Sequence, residues 1–272
     1  MRYLNHTFCV SVAALFMSVT SSSALPPCPN TPILVWDACF GTFTYPSQSS
    51  YEGEWALGKY SGYGSYTFAN GNKYVGEFKK SLPNGQGTYD FANGNQYIGG
   101  FLDGKRHGQG SYIYANGNKY VGGFVAGKKS GTGAYEFANG NRYVGEFEAD
   151  KFQGSGTYDF ADGNQYAGEF LGGQKHGQGT YIWSNGNKYE GAYRADVFNG
   201  QGTFTFANGN QYVGAFENGL FNGKGIFTFS NGNKYNGFFK DDRFDRQGTY
   251  TFASGNKYVG SFLDDTFNGE GA

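Results

Sequence analysis

Few side chains in this sequence have the chemistry of a catalytic or metal-binding site. Past residue 24 the chain holds two histidines, His107 and His176, and two cysteines, Cys28 and Cys39. Each histidine follows a basic residue and precedes Gly-Gln-Gly, and neither is accompanied by the nucleophile and acid that a hydrolase uses. The sequence also lacks a glycine-rich phosphate loop and the ligand spacing of a zinc site. It therefore predicts no enzyme, no cofactor and no metal.

The two cysteines lie close together, on either side of Trp36. In an oxidising compartment such a pair is most simply a disulfide, and closing so short a loop contributes about 3 kcal/mol to stability. A lipid-modified cysteine and a metal site are the alternatives. However, Leu25-Pro26-Pro27 lacks the small residues that precede a bacterial lipidation site, and no histidine lies nearby. We therefore expect a disulfide between Cys28 and Cys39.

Basic residues accompany the two histidines in matching segments of the chain. If the segments of neighbouring repeats stack as loops, they form a cationic patch that binds anionic lipid headgroups or an acidic polymer, at about 1 kcal/mol per basic residue. A solvated loop surface is the alternative, and duplication of a longer segment explains the two histidines without any function. The predicted patch comprises Lys105, Arg106, His107, Lys128, Lys129, Lys175 and His176.

A tyrosine recurs every 23 residues from Tyr51 to Tyr258, without insertion or deletion. We call the 23 residues that begin at each of these ten block tyrosines a block, and count the tyrosine as position 0. Position +2 is always glycine and +4 always aromatic, while glycine returns at +13 and rings occupy +15 and +17 in nine blocks. Such alternation is typical of β-strands, so each block should hold two of them.

The connections between strands are of two kinds. Asn-Gly pairs such as Asn70-Gly71 mark a tight hairpin turn, and an odd number of turn residues, with Gly71 left-handed, keeps all rings and glycines on one face. The other connection, about +5 to +12, is predicted to be longer and less regular. The expected fold is all-β: an elongated, twisted, open antiparallel meander, with Thr, Glu, Asp, Lys and Gln on its second face.

Position +9 lies in the longer connection. It is aromatic in six blocks, basic in three and proline in one, Pro83. Rings at this position are predicted to fasten the connection onto the sheet, and platforms that stack against sugars are the alternative.

The two ends of the chain differ from the array. Residues 1–24 have the basic, apolar and small-residue parts of a secretory signal peptide cleaved after Ala24, and an uncleaved anchor is the alternative. We expect residues 25–50 to form a degenerate, disulfide-bearing first repeat, with Cys28 in the tyrosine position. Residues 51–272 form the array, whose last block should lack its second strand, so that its edge pairs with a second copy or the chain continues.

The motif Tyr-x-Gly-x-Phe, followed by Gly-x-Gly-x-Tyr, resembles the membrane occupation and recognition nexus (MORN) repeat. It appears, for example, as Tyr97-Ile98-Gly99-Gly100-Phe101 and Gly108-Gln109-Gly110-Ser111-Tyr112, and the resemblance covers about residues 39–272. It implies a stack of β-hairpins that acts as a scaffold or interaction module, often beside membranes and sometimes dimeric through array ends. It does not imply catalysis.

These observations predict a non-enzymatic repeat scaffold that binds a protein partner or a membrane surface. We expect the protein to be exported to the periplasm or the extracellular space, either free or associated with a membrane. We also expect it to form a homodimer through its C-terminal edge. A net charge of −1 argues against nucleic acid as a partner. The alternative function is an exported carbohydrate- or cell-wall-binding solenoid, because such proteins also use short hairpins rich in aromatic residues and glycine.

Overall fold

The computed structural model describes residues 24–269, so the predicted signal peptide lies outside the described residues apart from Ala24. Within this range, 21 β-strands form one open antiparallel sheet in which each strand pairs with the strands before and after it in sequence. One 3-10 turn, Ile33–Val35, precedes the first strand. The predicted all-β meander of hairpin repeats is confirmed.

Each block contributes a seven-residue strand that begins beside its tyrosine and, except in the last block, a nine-residue strand that follows it. The sheet starts with β1 (Cys39–Thr44). The seven-residue strands are β2 (Ser50–Ala56), β4 (Lys73–Lys79), β6 (Gln96–Leu102), β8 (Lys119–Val125), β10 (Arg142–Glu148), β12 (Gln165–Leu171), β14 (Lys188–Arg194), β16 (Gln211–Glu217), β18 (Lys234–Lys240) and β20 (Lys257–Leu263). The following strands are β3 (Lys59–Thr67), β5 (Leu82–Asp90), β7 (Lys105–Ile113), β9 (Lys128–Glu136), β11 (Lys151–Asp159), β13 (Gln174–Ile182), β15 (Val197–Thr205), β17 (Leu220–Thr228), β19 (Arg243–Thr251) and the short β21 (Thr266–Asn268).

The Asn-Gly turns have the predicted odd length. Between β3 and β4, the Phe68 N–H donates to the Asn72 carbonyl at 2.9 Å, and the Gly71 N–H donates back to the Phe68 carbonyl at 2.9 Å. Gly71 adopts a left-handed φ of +85°, which glycine reaches without a steric penalty. The three-residue turn pairs Tyr66 with Tyr74 on one face of the sheet. This prediction is confirmed.

The second connection was predicted wrongly. Instead of a long loop, Ala56 pairs with Lys59 around a two-residue turn, Leu57-Gly58, whose φ angles are both positive (+51° and +69°). This turn matches the right-handed twist of the flanking strands. A bulge follows, because the pairing jumps from Gly53↔Gly64 to Glu54↔Ser61 and leaves two extra residues on β3. Since two extra residues preserve the alternation, position +9 joins the aromatic face.

The block tyrosine packs across two glycines on paired strands. Gly53 and Gly64 are cross-strand partners, and a Cβ atom on either would lie 2.5 Å from the hydroxyl oxygen of Tyr51. The hydroxyl donates to the Glu54 carbonyl at 2.9 Å, and Tyr51 is fully buried. The same bond to the residue at +3 recurs in all ten blocks. The glycines therefore make room for the ring that forms the core.

Asparagine side chains join neighbouring blocks at the three-residue turns. Asn72 accepts the Ala92 N–H at 2.8 Å through its side-chain oxygen and donates to the Tyr89 hydroxyl at 3.1 Å. Equivalent asparagines accept the corresponding N–H of the next block along the array. At the opposite edge, backbone bonds such as Gly127 N–H to the Arg106 carbonyl link successive two-residue turns. Each block is thus bonded to its neighbours at both edges.

A disulfide closes the beginning of the sheet. Cys28 and Cys39 are joined, and a Cβ on Gly41 would lie 2.9 Å from the Cβ of Cys28. Cys28 therefore covers the glycine of β1 much as a block tyrosine covers its own. The Cys28 N–H donates to the Phe40 carbonyl at 2.9 Å, so the leading segment covers the outer edge of β1. At the other end, β21 pairs with β20, so the last block does have a short second strand, contrary to the prediction.

Candidate functional site: the aromatic face

The rings at +15 and +17 form a continuous row along one face of the sheet. Consecutive centroids in this ring row are 4.5 to 5.9 Å apart. Unlike the block tyrosines, the rings are half-buried, except for buried Tyr112 and exposed Phe252. The row comprises Tyr66, Phe68, Tyr89, Phe91, Tyr112, Tyr114, Tyr135, Phe137, Tyr158, Phe160, Tyr181, Trp183, Phe204, Phe206, Phe227, Phe229, Tyr250 and Phe252.

Position +9 lies between the block tyrosines and the ring row. Where it is aromatic, as in Phe152, the ring stacks on the block tyrosine with centroids 3.8 to 3.9 Å apart. The same ring meets the +4 rings of its own block and the next, at 5.4 Å from Phe147 and 5.9 Å from Phe170. It thereby fills the space between the core and the ring row. The prediction that these rings fasten a loop onto the sheet is wrong in one respect, because the rings pack onto the aromatic face as predicted but belong to a strand of the sheet itself.

The three basic residues at +9 occupy the same place on the aromatic face. The guanidinium of Arg106 lies 4.9 Å from the ring centroid of Tyr112 and 5.5 Å from that of Phe124. One of its nitrogens donates to the Gly127 carbonyl at 2.6 Å. A cation above several ring faces is attracted by their quadrupoles. Within residues 24–269, no acidic side chain lies within ion-pair distance of Arg106.

Lys129 and Lys175 differ from Arg106 in their acidic neighbours. The ammonium of Lys129 is 3.5 Å from the Asp150 carboxylate, and it lies 5.4 Å from the ring centroid of Tyr135. Lys175 lies 5.2 Å from the centroid of Tyr181, and burial lowers its pKa, an effect that the nearby Asp196 carboxylate opposes. Cations replace the stacked rings in these blocks, so the aromatic face carries positive charge.

The predicted loop patch does not form as one surface. Lys105 and Lys128 are exposed, and they pair with Leu102 and Val125 on the opposite face from Arg106 and Lys129. The reason is that these residues belong to strands, where neighbouring side chains point to opposite faces. β8 also separates β7 from β9. Lipid binding by these residues stays a prediction.

The two histidines occupy position +10, between the two-residue turns and the bulges that follow them. His107 is half-buried, and its carbonyl approaches the Cα of Gly100, where a Cβ would come within 2.3 Å of it. His176 pairs with Glu169, whose carboxylate accepts the Gln178 N–H at 2.8 Å. Within residues 24–269, no group of three metal-ligating side chains is assembled around either histidine.

Pro83 leaves the space between core and ring row partly empty. Its small ring stands at +9 above Tyr74, and a cavity of about 520 Å³ opens among Tyr60, Tyr66, Phe78 and the neighbouring side chains. A second cavity of about 320 Å³ adjoins it. The second cavity is lined by Tyr89, Phe91, Phe101, Gly104, Lys105, Arg106 and Gly127, and it shares Tyr89 and Gly104 with the first. The sequence predicts Pro83 in a loop and does not predict this cavity, although the rings at +9 of other blocks are a signal for it.

The buried hydroxyl groups of the block tyrosines are kept protonated. Burial raises the pKa of Tyr97, Tyr189 and Tyr235 to about 12. Burial raises the pKa of Tyr143 and Tyr212 further. A hydroxyl that donates to a backbone carbonyl must keep its proton, so these groups act as structural donors and not as acids or bases near neutral pH.

A sequence profile described as the MORN repeat matches nine consecutive 23-residue segments: residues 51–73, 74–96, 97–119, 120–142, 143–165, 166–188, 189–211, 212–234 and 235–257. The chain belongs to the MORN repeat family. Residues 258–269 extend the MORN array with β20 and β21, beyond the last matched segment. A search of curated proteins found no match to this MORN protein. Within residues 24–269, no helix is long and apolar enough to cross a membrane.

Comparison of the MORN array with solved structures gives only distant likenesses. One is the TCP domain of SAS-4 (dCPAP) from Drosophila melanogaster, solved in complex with a proline-rich motif of Ana2 (dSTIL). It has a TM-score of 0.37 and 12% identity, and the match covers 72% of this chain and 99% of that one. Another is the wild-type TCP10 domain of CPAP from Danio rerio, with a TM-score of 0.28 and 11% identity over 84% of this chain and 99% of that one. Values this low support no functional comparison.

Proposed function

We propose that this MORN protein is an exported, non-enzymatic scaffold that binds a protein partner through its aromatic face. The observation that carries the proposal is the ring row, which runs along one face from Tyr66 to Phe252 without a covering layer among residues 24–269. Soluble monomers rarely expose large contiguous apolar patches, and such patches mark interaction sites. Aromatic residues are also enriched in the energetically dominant parts of protein interfaces.

The opposite face of the sheet has a different composition, which supports the aromatic face as the binding surface. Charged and polar residues are interspersed there with exposed aliphatic side chains such as Val144 and Val213. Exposed aliphatic residues among polar ones are normal on a protein surface. The array therefore presents one extended aromatic surface and one ordinary solvated surface.

The test is to identify a partner and then measure which face it needs. The mature chain would be used to capture proteins from the envelope of its own cell, and a purified candidate would be titrated by calorimetry. Phe160→Ser with Phe206→Ser changes two half-buried rings of the row, and Val144→Ser with Val213→Ser is the matched control on the opposite face. We expect at least about tenfold weaker binding for the ring pair and little change for the valine pair. Loss of binding in the valine pair alone would contradict the proposed face.

Carbohydrate binding is the second candidate, and the tyrosine hydroxyls of the ring row favour it. Tyr89 and Tyr158, which are half-buried, each accept a hydrogen bond from an asparagine amide, which leaves the phenolic proton available for a ligand oxygen. Glycan arrays and vesicles that contain anionic lipid would be probed in parallel with proteins. Saturable binding to a polysaccharide, lost in the Phe160→Ser and Phe206→Ser variant, would replace the protein-scaffold proposal.

Export is proposed from the leader and supported by the cysteine pair. The first 24 residues have the composition of a signal peptide, and the Cys28–Cys39 disulfide is suited to an oxidising compartment. Cell fractionation with mass spectrometry of the mature N-terminus is the test. We expect a chain that begins at Leu25 outside the cytosol, and an unprocessed cytosolic chain would contradict export.

A further inference from the structure

We propose that the paired cavities beside Pro83 and Arg106 bind an extended segment of a partner protein, in which an aromatic side chain and an acidic side chain are three residues apart. The inference rests on the proposed protein-scaffold function and specifies one recognition site on its aromatic face. The aromatic side chain enters the cavity above Tyr74, and the carboxylate pairs with the Arg106 guanidinium.

The aromatic half of the site follows from the ring that Pro83 replaces. In five other blocks a ring at +9 stacks on the block tyrosine at 3.8 to 3.9 Å. In this block, Tyr74 meets Phe78 and Phe101, each at 4.9 Å, but has no stacked ring from its own chain. The cavity of about 520 Å³ lies where such a ring would pack. Its aromatic walls and its size fit a partner's ring.

The acidic half of the site follows from the charge of Arg106. Its guanidinium lines the adjoining cavity, and within residues 24–269 no carboxylate pairs with it. The residues that line the two cavities include no aspartate or glutamate, and Arg106 brings a charged side chain to this face, whereas the side chain of Lys105 lies on the opposite face. A partially buried guanidinium is best satisfied by a carboxylate, because the charge-assisted bonds are strong and can be bidentate. The site therefore complements an anionic group.

The separation of the two halves fixes the spacing in the partner. Pro83 and Arg106 are equivalent positions in successive blocks, and successive blocks are two strands apart. Two strand spacings correspond to about 9.6 Å. Three residues of an extended segment in the polyproline II conformation span about 9.3 Å and complete one turn, so side chains three residues apart point to the same side. A segment that runs along the array, across the strands, thus brings its aromatic and acidic side chains into register with the two cavities.

The probes are two hexapeptides with blocked ends, Gly-Phe-Ser-Gly-Glu-Gly and Gly-Glu-Ser-Gly-Phe-Gly, in which phenylalanine and glutamate are exchanged. Each would be titrated into the mature, oxidised chain and followed by the amide NMR signals of Gly104 and Gly127, with Gly219 as the remote reference. We expect saturable shifts at Gly104 and Gly127 with a Kd of about 1 mM for one of the two orders. Absence of saturable shifts for both peptides up to about 10 mM would overturn the proposal.

Three protein variants distinguish binding at this site from nonspecific binding along the ring row. Pro83→Phe supplies the ring of the other blocks and should close the cavity, and Arg106→Gln removes the charge. Each should weaken binding at least about fivefold, whereas Lys129→Gln, whose lysine is already paired with Asp150, should leave it unchanged. Equal binding by wild type and Pro83→Phe would overturn the proposal.

Changes in the peptide test the same contacts in the unaltered protein, should a variant fail to fold. Replacing the peptide's glutamate by glutamine, or shortening the spacing from three residues to two, should each reduce affinity at least about fivefold. If neither does, the proposed recognition is wrong. Failure here with retained capture of a partner by the ring row would reject this site alone and leave the scaffold proposal standing.

Discussion

A single hydroxyl group distinguishes the residues at positions 0 and +4 of the repeat. Position 0 is always tyrosine, because its hydroxyl satisfies a backbone carbonyl while its ring covers two glycines. Position +4 packs edge-on against the same ring but needs no donor, and eight of its ten occupants are phenylalanine. Tyr193 is the one tyrosine at +4, and its hydroxyl is buried without a hydrogen-bond partner among residues 24–269.

The same chemical change should therefore have opposite effects at two tyrosines of one strand. Tyr193→Phe removes a buried, unsatisfied hydroxyl and should raise the free energy of unfolding by about 1 kcal/mol. Tyr189→Phe removes the donor of a 2.9 Å bond to the Ala192 carbonyl and should lower it by about 1 kcal/mol. Urea unfolding of the two variants beside wild type is the measurement. Changes of the same sign would contradict this account of the hydroxyl.

The block tyrosines also predict unfolding at alkaline pH. Burial raises the folded-state pKa of the nine block tyrosines from Tyr51 to Tyr235, to about 12 for Tyr97, Tyr189 and Tyr235, above the value near 10 of an unfolded chain. A raised pKa contributes stability that is fully present below about pH 10 and is lost as the pH rises towards the folded value. We expect the far-ultraviolet circular dichroism signal to be lost as the pH rises from about 10 to about 12, with a step of tyrosinate absorbance that accompanies this loss. A β-sheet signal that persists unchanged to about pH 12 would contradict this.

At the scale of the elements, the sequence predicted one turn and not the other. The Asn-Gly turn is recognisable because glycine supplies the left-handed residue, and the alternation of rings requires an odd loop. The two-residue turn carries a weaker signal: five blocks have glycine at its second position, as in Asp103-Gly104 and Asn218-Gly219, but others place residues such as Ala149, which rarely adopts positive φ, at +48°. Cross-strand pairing on both sides holds these residues there.

Asparagine tolerates this left-handed conformation better than alanine, which gives a reciprocal test. Ala149→Asn should stabilise the protein by about 0.5 to 1 kcal/mol, because Ala149 has a φ of +48°. Asn218, at +52° in the equivalent turn position, is the matched site, and Asn218→Ala should cost a similar amount. Thermal unfolding of both variants would measure the effect. Destabilisation by Ala149→Asn would show that the turn residue is selected for something other than its backbone conformation.

The cavity beside Pro83 is not predicted by the sequence for the same reason that the two-residue turn is not. A loop at +9 predicts that Arg106 and Lys129 are solvent-exposed and that Pro83 lies outside the sheet. The bulge of two extra residues could not be read from the sequence, because Ser61-Gly62-Tyr63 has no unique signature of it. The bulge returns +9 to the aromatic face. Cations and a cavity therefore lie among rings, a placement that only the register reveals.

At the scale of the molecule, each block is bonded to the blocks beside it in sequence. The strand pairs are all sequential, and the edge bonds from Asn72 to Ala92 and from Gly127 to Arg106 also join neighbouring blocks. Stability in such an array is approximately the sum of block and nearest-neighbour terms. Because each block contacts only its neighbours, the structure of one block specifies that of the next. The fold class and the number of repeats can therefore be predicted from the periodic sequence. The same argument predicts that a destabilising change at one end of the array affects only the neighbouring blocks.

The Cys28–Cys39 disulfide provides the test of local stability. Cys28→Ser with Cys39→Ser removes a covalent link that closes a short loop and contributes about 3 kcal/mol. Amide hydrogen exchange should accelerate in β1, in β2 and at Gly58, whose N–H donates to the Trp36 carbonyl at 2.7 Å, while β8 to β20 keep their protection.

A lesion inside the array is the matched control for the missing disulfide. Gly145→Ala places a Cβ 2.5 Å from the Tyr143 hydroxyl oxygen and 2.6 Å from the Gly156 Cα, so it should loosen strands on both sides of β10 and spare β1. If the two variants instead lose protection uniformly from β1 to β20, the array unfolds as one cooperative unit. The nearest-neighbour picture would then be wrong, and a partner bound at one block would stabilise the whole sheet and not only the blocks that it touches.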